Sequence, residues 1–291
     1  MENILNLENL SKAYDNFTLK DINLNIPKGS IMGLVGENGA GKTTTIKLIL
    51  NLIKRDKGTI RLFGFDNIQR EMEVKERIGV VLDESNFHDN LNSNDISIIM
   101  GNIYKNWNNN VFSDYLKQFN LPKNKVIKDL SKGMKMKLSI AVALSHNPDL
   151  LILDEPTSGL DPIIRNEILD IFLEFIQDEE KSILFSTHIT SDLDKIADYI
   201  TFIHSGEIIF SKDKDALIND YGIIKCGKDD FNKIDRKDVI GYRKNQFGYE
   251  VLTNNKQSAE IRYKGLTMDS ANLEDIMLFY IRREGNEGVN Y

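Results

Sequence analysis

Hydrophobic and polar residues alternate in the first part of the chain, and this pattern predicts β-strands. Apolar residues recur in residues 4–10 and again in residues 19–26, before the turn sequence Pro27-Lys28-Gly29. Alternation of this kind is typical of strands with one buried face. The sequence therefore predicts two strands at the start of the chain, closed by a turn.

A short, mostly apolar run follows and has a different pattern. Residues 30–35 form this run, which ends at Gly36 and is followed by a glycine-rich loop. Residues 43–52 then place apolar side chains at helical spacing, as seen at Ile46, Leu48 and Ile49. We predict a buried strand, a loop and a helix in this order.

Later segments repeat the alternation of buried strands and helices. Residues 150–153 and 182–185 are candidate buried strands, and the helical segment 165–176 lies between them, as expected of a crossover in a largely parallel sheet. Residues 96–120 have a helical pattern that a polar run at 106–110 interrupts. The sequence therefore predicts an α/β core with a compact helical insertion.

The composition changes after about Lys212, where Lys, Asp, Gly and Asn become more frequent around short apolar runs. A final helix is predicted behind Asn272, which is a candidate cap, from the spacing of Leu273, Ile276, Met277 and Tyr280. We predict a main domain of residues 1–211 and a small extension of residues 212–291.

Composition narrows the classes of function. The chain of 291 residues is 41% hydrophobic and 28% charged, with a formal net charge of -7 and scattered basic residues, so we do not expect nucleic acid as a partner. No apolar run approaches the roughly 18 residues that cross a bilayer, and Met1 to Leu10 lacks the pattern of a secretory signal. We expect a cytosolic protein that does not span a membrane itself.

The glycine-rich loop matches the phosphate-binding pattern G-x-x-x-x-G-K-[ST], and it has the required context between a predicted strand and a predicted helix. Backbone N–H groups of such a loop bind phosphates at a helix N-terminus, the lysine reaches the terminal phosphates, and the hydroxyl after it can ligate Mg²⁺. The predicted nucleotide-binding residues here are Gly36, Glu37, Asn38, Gly39, Ala40, Gly41, Lys42, Thr43 and Thr44.

Two adjacent acidic residues, Asp154 and Glu155, follow the apolar run 150–153. Open α/β sheets bind ligands at the carboxyl ends of their strands. We predict that Asp154 holds Mg²⁺ and that Glu155 orients or deprotonates the water that attacks the γ-phosphate of ATP. A charged strand end that faces solvent is the alternative.

At this point the sequence resembles the ATP-binding subunits of ABC transporters. Four further motifs occur in the order of that family between about residues 4 and 210. Residues 130–134 (LSKGM) resemble the signature motif, residues 158–161 (SGLD) the D-loop, and residues 186–188 (STH) the switch-histidine segment. Tyr14 falls where the family stacks an aromatic ring on adenine.

The resemblance implies an α/β fold: a P-loop NTPase core of the ABC ATPase type. It adds an N-terminal antiparallel β subdomain, an inserted helical subdomain at about residues 84–147 and a small C-terminal α+β extension. It implies an ATPase that binds ATP and Mg²⁺ between two cassettes arranged head to tail. Ser131 and Gly133 of one cassette would contact the γ-phosphate held by the other, Asp161 would link the two sites, and His188 would hold the γ-phosphate or the attacking water.

The resemblance also implies which partners the chain has and where it binds them. The chain would lie at the cytoplasmic face of the membrane, held there by a transmembrane permease subunit, and would pair with a second copy or a related ATP-binding subunit. The permease would contact a groove around residues 83–91 and 96–104. Phe87 is the candidate anchor there, with burial against the local core as the alternative.

Three positions depart from the family pattern. Asp83 stands where the family usually has glutamine, and it either ligates Mg²⁺ or faces solvent. The signature has Lys132 and Met134 in place of the commonest glycine and glutamine, while the serine and the second glycine are kept.

The sequence thus favours the ATP-hydrolysing subunit of an exporter for peptides or drugs. A soluble ABC ATPase that acts on nucleic acid or ribosomes is the first alternative. A module that senses ATP without turnover is the second alternative.

Overall fold

The computed structural model of the chain describes residues 2–83 and 87–286, so residues 84–86 at the start of the predicted helical insertion lie outside it. The chain divides into two compact units, Met1–Ser211 and Lys212–Tyr291. Among the described residues, no helix has the length and apolar character needed to span a bilayer.

The described residues of the first unit form ten strands and seven α-helices, and the last strand ends two residues beyond Ser211. The strands are β1 (Asn3–Tyr14), β2 (Phe17–Pro27), β3 (Ile31–Val35), β4 (Lys57–Leu62), β5 (Phe65–Asp66), β6 (Ile78–Val81), β7 (Leu150–Asp154), β8 (Ser182–Thr187), β9 (Tyr199–His204) and β10 (Glu207–Asp213). The helices are α1 (Lys42–Ile49), α2 (Glu71–Glu76), α3 (Ser93–Ile103), α4 (Asn109–Gln118), α5 (Lys132–Leu144), α6 (Pro162–Phe175) and α7 (Thr190–Ile196).

Two sheets form the core of this unit. An antiparallel sheet has the order β2-β1-β4-β5, and a second sheet has the order β10-β9-β3-β8-β7-β6, in which β9, β3, β8, β7 and β6 pair in parallel. Every residue of β3, β7 and β8 is buried, as expected of parallel strands covered on both faces. The predicted α/β core is therefore confirmed.

The helical insertion contains α3, α4 and α5. The polar run 106–110 separates α3 from α4 because Asn108 caps α4, accepting hydrogen bonds from the backbone N–H groups of Asn110 and Val111. Asn92 caps α3 in a capping box with Asp95. A 3₁₀ turn, Ile127–Asp129, precedes α5.

The second unit contains α8 (Lys214–Asp220), β11 (Gly222–Cys226), α9 (Lys228–Phe231), β12 (Gly241–Asn245), β13 (Gly248–Thr253), α10 (Lys256–Arg262), β14 (Thr267–Ser270) and α11 (Leu273–Asn286). Its antiparallel sheet has the order β12-β13-β11-β14. The side chain of Asn272 accepts a hydrogen bond from the N–H of Asp275 at 2.7 Å, so the predicted cap of the last helix is present.

Candidate active site

The predicted phosphate loop connects β3 to α1. A Cβ atom at Gly36 would lie 2.2 Å from the carbonyl oxygen of Ile203 on β9, so only glycine fits between the two backbones. Gly41, the residue before α1, has a φ of 118°, which favours glycine. Glu37, Asn38 and Gly39 are exposed, whereas Ala40 is buried. The loop is therefore fixed at both ends and open to solvent at its centre.

Lys42 begins α1, and its ammonium group lies against the backbone of the phosphate loop. Its Nζ atom donates hydrogen bonds to the carbonyl oxygens of Gly36 at 2.8 Å and Glu37 at 3.1 Å. The same atom forms an ion pair with Oε1 of Glu155 at 3.2 Å, and the Lys42 side chain is only 5% exposed. A phosphate group that enters the loop would compete with Glu155 for this buried positive charge.

The two predicted carboxylates come at the end of β7, and they differ in their surroundings. Asp154 is buried, and its Oδ1 atom accepts a hydrogen bond from the hydroxyl of Ser186 at 2.5 Å. Glu155 has a φ of 53°, a left-handed conformation that is unfavourable for a residue with a long side chain. Strain of this kind persists only where neighbouring contacts hold it, and it is common at functional sites.

His188 directly follows β8, the strand beside β7 in the sheet. Its Nδ1 atom lies 2.6 Å from Oε2 of Glu155. The His188 side chain is 41% exposed, whereas that of Glu155 is 12% exposed. Lys42, Glu155 and His188 thus form one connected group at the mouth of the phosphate loop, which we call the hydrolytic cluster.

Thr43 and Asp154 carry oxygen atoms of the kind that bind a magnesium ion. Mg²⁺ takes hard oxygen ligands, and it is usually held by one or two protein groups together with phosphate oxygens and water. Thr43 provides a hydroxyl in the first turn of α1, and Asp154 provides a carboxylate on β7, which α1 contacts. Within residues 2–83 and 87–286, no three or more His, Cys, Asp or Glu side chains are grouped to hold a metal.

Asp83 lies on the exposed segment that follows β6. It lines an open cavity of about 440 Å³ together with Lys132 and Lys135 of α5. Asp83 thus shares the lining of this cavity with two lysines, and its role as a magnesium ligand stays a prediction.

The predicted signature and D-loop residues are helix caps. The Ser131 hydroxyl accepts a hydrogen bond from the N–H of Met134 at 3.3 Å at the start of α5. Asp161 caps α6, accepting hydrogen bonds from the N–H groups of Ile163 and Ile164 at 3.1 Å each. Gly133 packs against Ile164, since a Cβ atom there would lie 2.7 Å from Cδ1 of that isoleucine.

Tyr14 ends β1 and is 47% exposed, with the Nζ atom of Lys12 5.6 Å from the ring centroid. Its ring is therefore accessible to a flat ligand. In the part of the chain that the structure describes, no hydrogen bond or ion pair joins Tyr14, Ser131 or Asp161 to the hydrolytic cluster.

Ser186 contributes to the site in a way that sequence reasoning missed. Its hydroxyl donates to Asp154, and its carbonyl oxygen accepts from the N–H of Glu155 at 3.1 Å. The sequence signal that could have identified Ser186 is a serine at the end of a predicted buried strand, because a buried hydroxyl needs a hydrogen-bond partner.

Comparison with known proteins shows that the chain is similar to subunits of transporters. A family model described as ABC transporter matches residues 19–158. The chain is 39% identical over 201 residues to the ABC transporter ATP-binding protein NatA of Bacillus subtilis (strain 168), covering 66% of this chain and 80% of that protein. It is 37% identical over 212 residues to the bacitracin transport ATP-binding protein BcrA of Enterococcus faecalis, covering 72% of this chain and 69% of that one.

A solved structure of an ATP-binding subunit of an ABC transporter has a similar fold. Its TM-score is 0.68 at 26% sequence identity, and the match covers 74% of this chain and 92% of the solved chain.

Proposed function

Because the chain belongs to the family of ABC transporter ATP-binding proteins, we propose that it is the ATP-hydrolysing motor subunit of an exporter. It works at the cytoplasmic face of the membrane and drives separately encoded transmembrane permease subunits.

The hydrolytic cluster is the observation that carries this proposal. It places a buried cation, a carboxylate and a histidine next to a loop built for phosphate. A protein that only senses ATP needs the lysine and the loop, but it has no use for Glu155 paired with His188 at 2.6 Å. The arrangement therefore supports hydrolysis.

In the reaction, a water molecule attacks the γ-phosphorus of ATP, the bond from that phosphorus to the β–γ bridging oxygen breaks, and ADP and phosphate leave. Glu155 orients the water and accepts its proton. Lys42 stabilises negative charge on the terminal phosphates, and His188 holds Glu155 in place. Thr43 and Asp154 would hold Mg²⁺, which when bound would supply further neutralisation of phosphate charge.

We place two cassettes head to tail, with a second copy or a related ATP-binding subunit as the partner. Among the residues that the structure describes, no hydrogen bond or ion pair within one chain joins Ser131 or Asp161 to the hydrolytic cluster, although their motifs belong to ATP binding in this family. The N-terminus of α5 has a partial positive charge that suits a phosphate. These residues therefore act on the nucleotide of the opposite cassette.

The permease contact lies beside the helical insertion. A cavity of about 190 Å³ opens there, lined in part by Met100 of α3, and the same helix exposes the apolar residues Ile98, Ile99 and Ile103. Burial lowers the pKa of His146 in the cavity wall, so this ring is neutral and the cavity suits an apolar side chain. The cavity is lined by Val80, Val81, Leu82, Phe87, Met100, Tyr104, Ser139, Val142, Ala143 and His146.

The transported substrate is a peptide or a drug. This part of the proposal follows from the likeness to a subunit named for bacitracin transport, and no side chain of the site contributes to it.

Affinity purification from native membranes tests the proposal. The Glu155→Gln variant, tagged and extracted with mild detergent in the presence of Mg²⁺ and ATP, is expected to retain a polytopic membrane protein in stoichiometric amount by mass spectrometry. Ribosomes, nucleic acid or cytosolic proteins alone would instead support the soluble ATPase.

A matched pair of surface variants tests the placement of the contact. Ile103→Asp on α3 is expected to release the membrane protein. Ile261→Asp on α10, which changes a similarly exposed isoleucine in the second unit, should leave it bound. Equal retention by both variants would contradict the placement.

A further inference from the structure

A fully buried carboxylate lies behind the hydrolytic cluster and has no role in the reaction described above. Asp192 is 0% exposed and belongs to α7, four residues after His188. A buried charge without partners is strongly unfavourable, so the groups that pair with Asp192 indicate what it does.

The two carboxylate oxygens of Asp192 bind two different segments. Oδ2 accepts a hydrogen bond from the hydroxyl of Thr157 at 2.7 Å. Oδ1 accepts one from Nε of Arg165 at 2.5 Å. Arg165 also donates from Nη2 to the hydroxyl of Ser191 at 2.7 Å, so its guanidinium is held on two sides.

These contacts join the segments that carry the chemistry. Thr157 is buried and lies two residues after Glu155, in the connection that ends at Asp161. Arg165 lies in the first turns of α6, directly after that connection. Asp192 thus ties the loop after β7 and the start of α6 to the helix that follows His188.

The strained backbone of Glu155 indicates what the contacts of Asp192 do. Its φ of 53° requires constraints from its surroundings. The Ser158 N–H donates to the Glu155 carbonyl oxygen at 3.1 Å, and the side chain of Thr157, between these two residues, is anchored to Asp192. Hydrogen bonds to a carboxylate are directional, whereas an apolar contact would leave the loop free to shift.

We propose that Asp192 is a positioning residue for ATP hydrolysis, which acts through Thr157 and Arg165 to keep Glu155 and His188 in contact. The inference rests on the hydrolytic function proposed above. In the described part of the chain, no hydrogen bond or ion pair joins the Asp192 side chain to either member of that pair.

Thr157→Val tests the inference most cleanly, because valine keeps the volume of threonine and leaves the Asp192–Arg165 pair intact. We expect kcat to fall about 10- to 100-fold, since small displacements of catalytic groups have effects of that size, while the Kd for ATP changes less than about 2-fold. Asp192→Asn should give the same separation of kcat from Kd.

Thr157→Ser keeps the hydroxyl that Thr157→Val removes, and its kcat is expected to be within about 3-fold of that of the unmodified protein. Glu167→Gln serves as the control, because it breaks an ion pair between α6 and Lys137 of α5 and leaves Asp192 untouched. This control should hydrolyse ATP at the normal rate.

The outcomes separate the two proposals. Failure of the unmodified protein to hydrolyse ATP would contradict the proposed function itself. Normal turnover by Thr157→Val would overturn only the positioning role. Equal losses of kcat in the valine and serine variants, with equal drops in melting temperature, would also overturn it, because they would indicate a purely structural threonine.

Discussion

Replacing Gly36 by alanine would place a methyl group against the backbone of a neighbouring strand. The new Cβ atom would lie 2.2 Å from the carbonyl oxygen of Ile203 and 3.2 Å from Cβ of Ala40. Real Cβ atoms essentially never approach another heavy atom closer than 3.0 Å, so the phosphate loop and β9 must separate by about 0.8 Å.

Gly36→Ala is expected to lower both the stability of the protein and its affinity for ATP. Overpacking of this kind costs about 2 kcal/mol of stability, which corresponds to a decrease of about 4 to 8 °C in the melting temperature of a unit of this length. The shift also moves loop N–H groups away from the phosphates. Loss of one hydrogen bond to a charged group costs about 2 kcal/mol, which is about a 30-fold increase in the Kd for ATP.

Titration calorimetry and thermal unfolding measure both effects on the same samples. Gly227→Ala is a suitable control, because a Cβ atom there meets no atom within 4 Å, and its φ of -74° is open to any residue. ATP binding within about 3-fold of the unmodified protein by Gly36→Ala would refute the argument that close backbone approach shapes the loop.

Two further substitutions test individual contacts with the nucleotide. Tyr14→Ala should weaken ATP binding about 10-fold through the loss of stacking, while Tyr14→Phe should bind ATP normally. If a fluorescence titration gives Tyr14→Ala the same affinity for ATP as the unmodified protein, adenine binds elsewhere. Asp83→Ala is expected to slow hydrolysis and to change its dependence on Mg²⁺ concentration, and an unchanged Mg²⁺ titration would support a carboxylate that faces solvent.

Much of the fold could be predicted from the sequence, because its strands are strongly patterned. The predicted strands at 30–35, 150–153 and 182–185 correspond to the buried strands Ile31–Val35, Leu150–Asp154 and Ser182–Thr187, since side chains covered on both faces leave a hydrophobic signal in the sequence. Asn108 explains why the predicted helical pattern at 96–120 is divided, since it caps α4 within the polar run. Helix ends were less well placed: the predicted helix 43–52 is Lys42–Ile49 in the structure.

Pairings between distant residues could not be predicted. Glu155 and His188 lie 33 positions apart, and their contact depends on β7 and β8 being neighbours, which spacing along the chain does not reveal. Asp192 looks like part of a solvated helix face in the sequence, yet it is fully buried. Its partners come from a different helix and a loop, so no local pattern marks it.

The most direct test of the account measures Mg²⁺-dependent ATP hydrolysis and ATP binding in the unmodified protein and in Glu155→Gln. The account predicts turnover by the unmodified protein. The variant should bind ATP, lose at least about 100-fold in hydrolysis and stay as an ATP-bound dimer on gel filtration. Hydrolysis at the normal rate by Glu155→Gln would contradict the account, because the reaction would then depend on a different base.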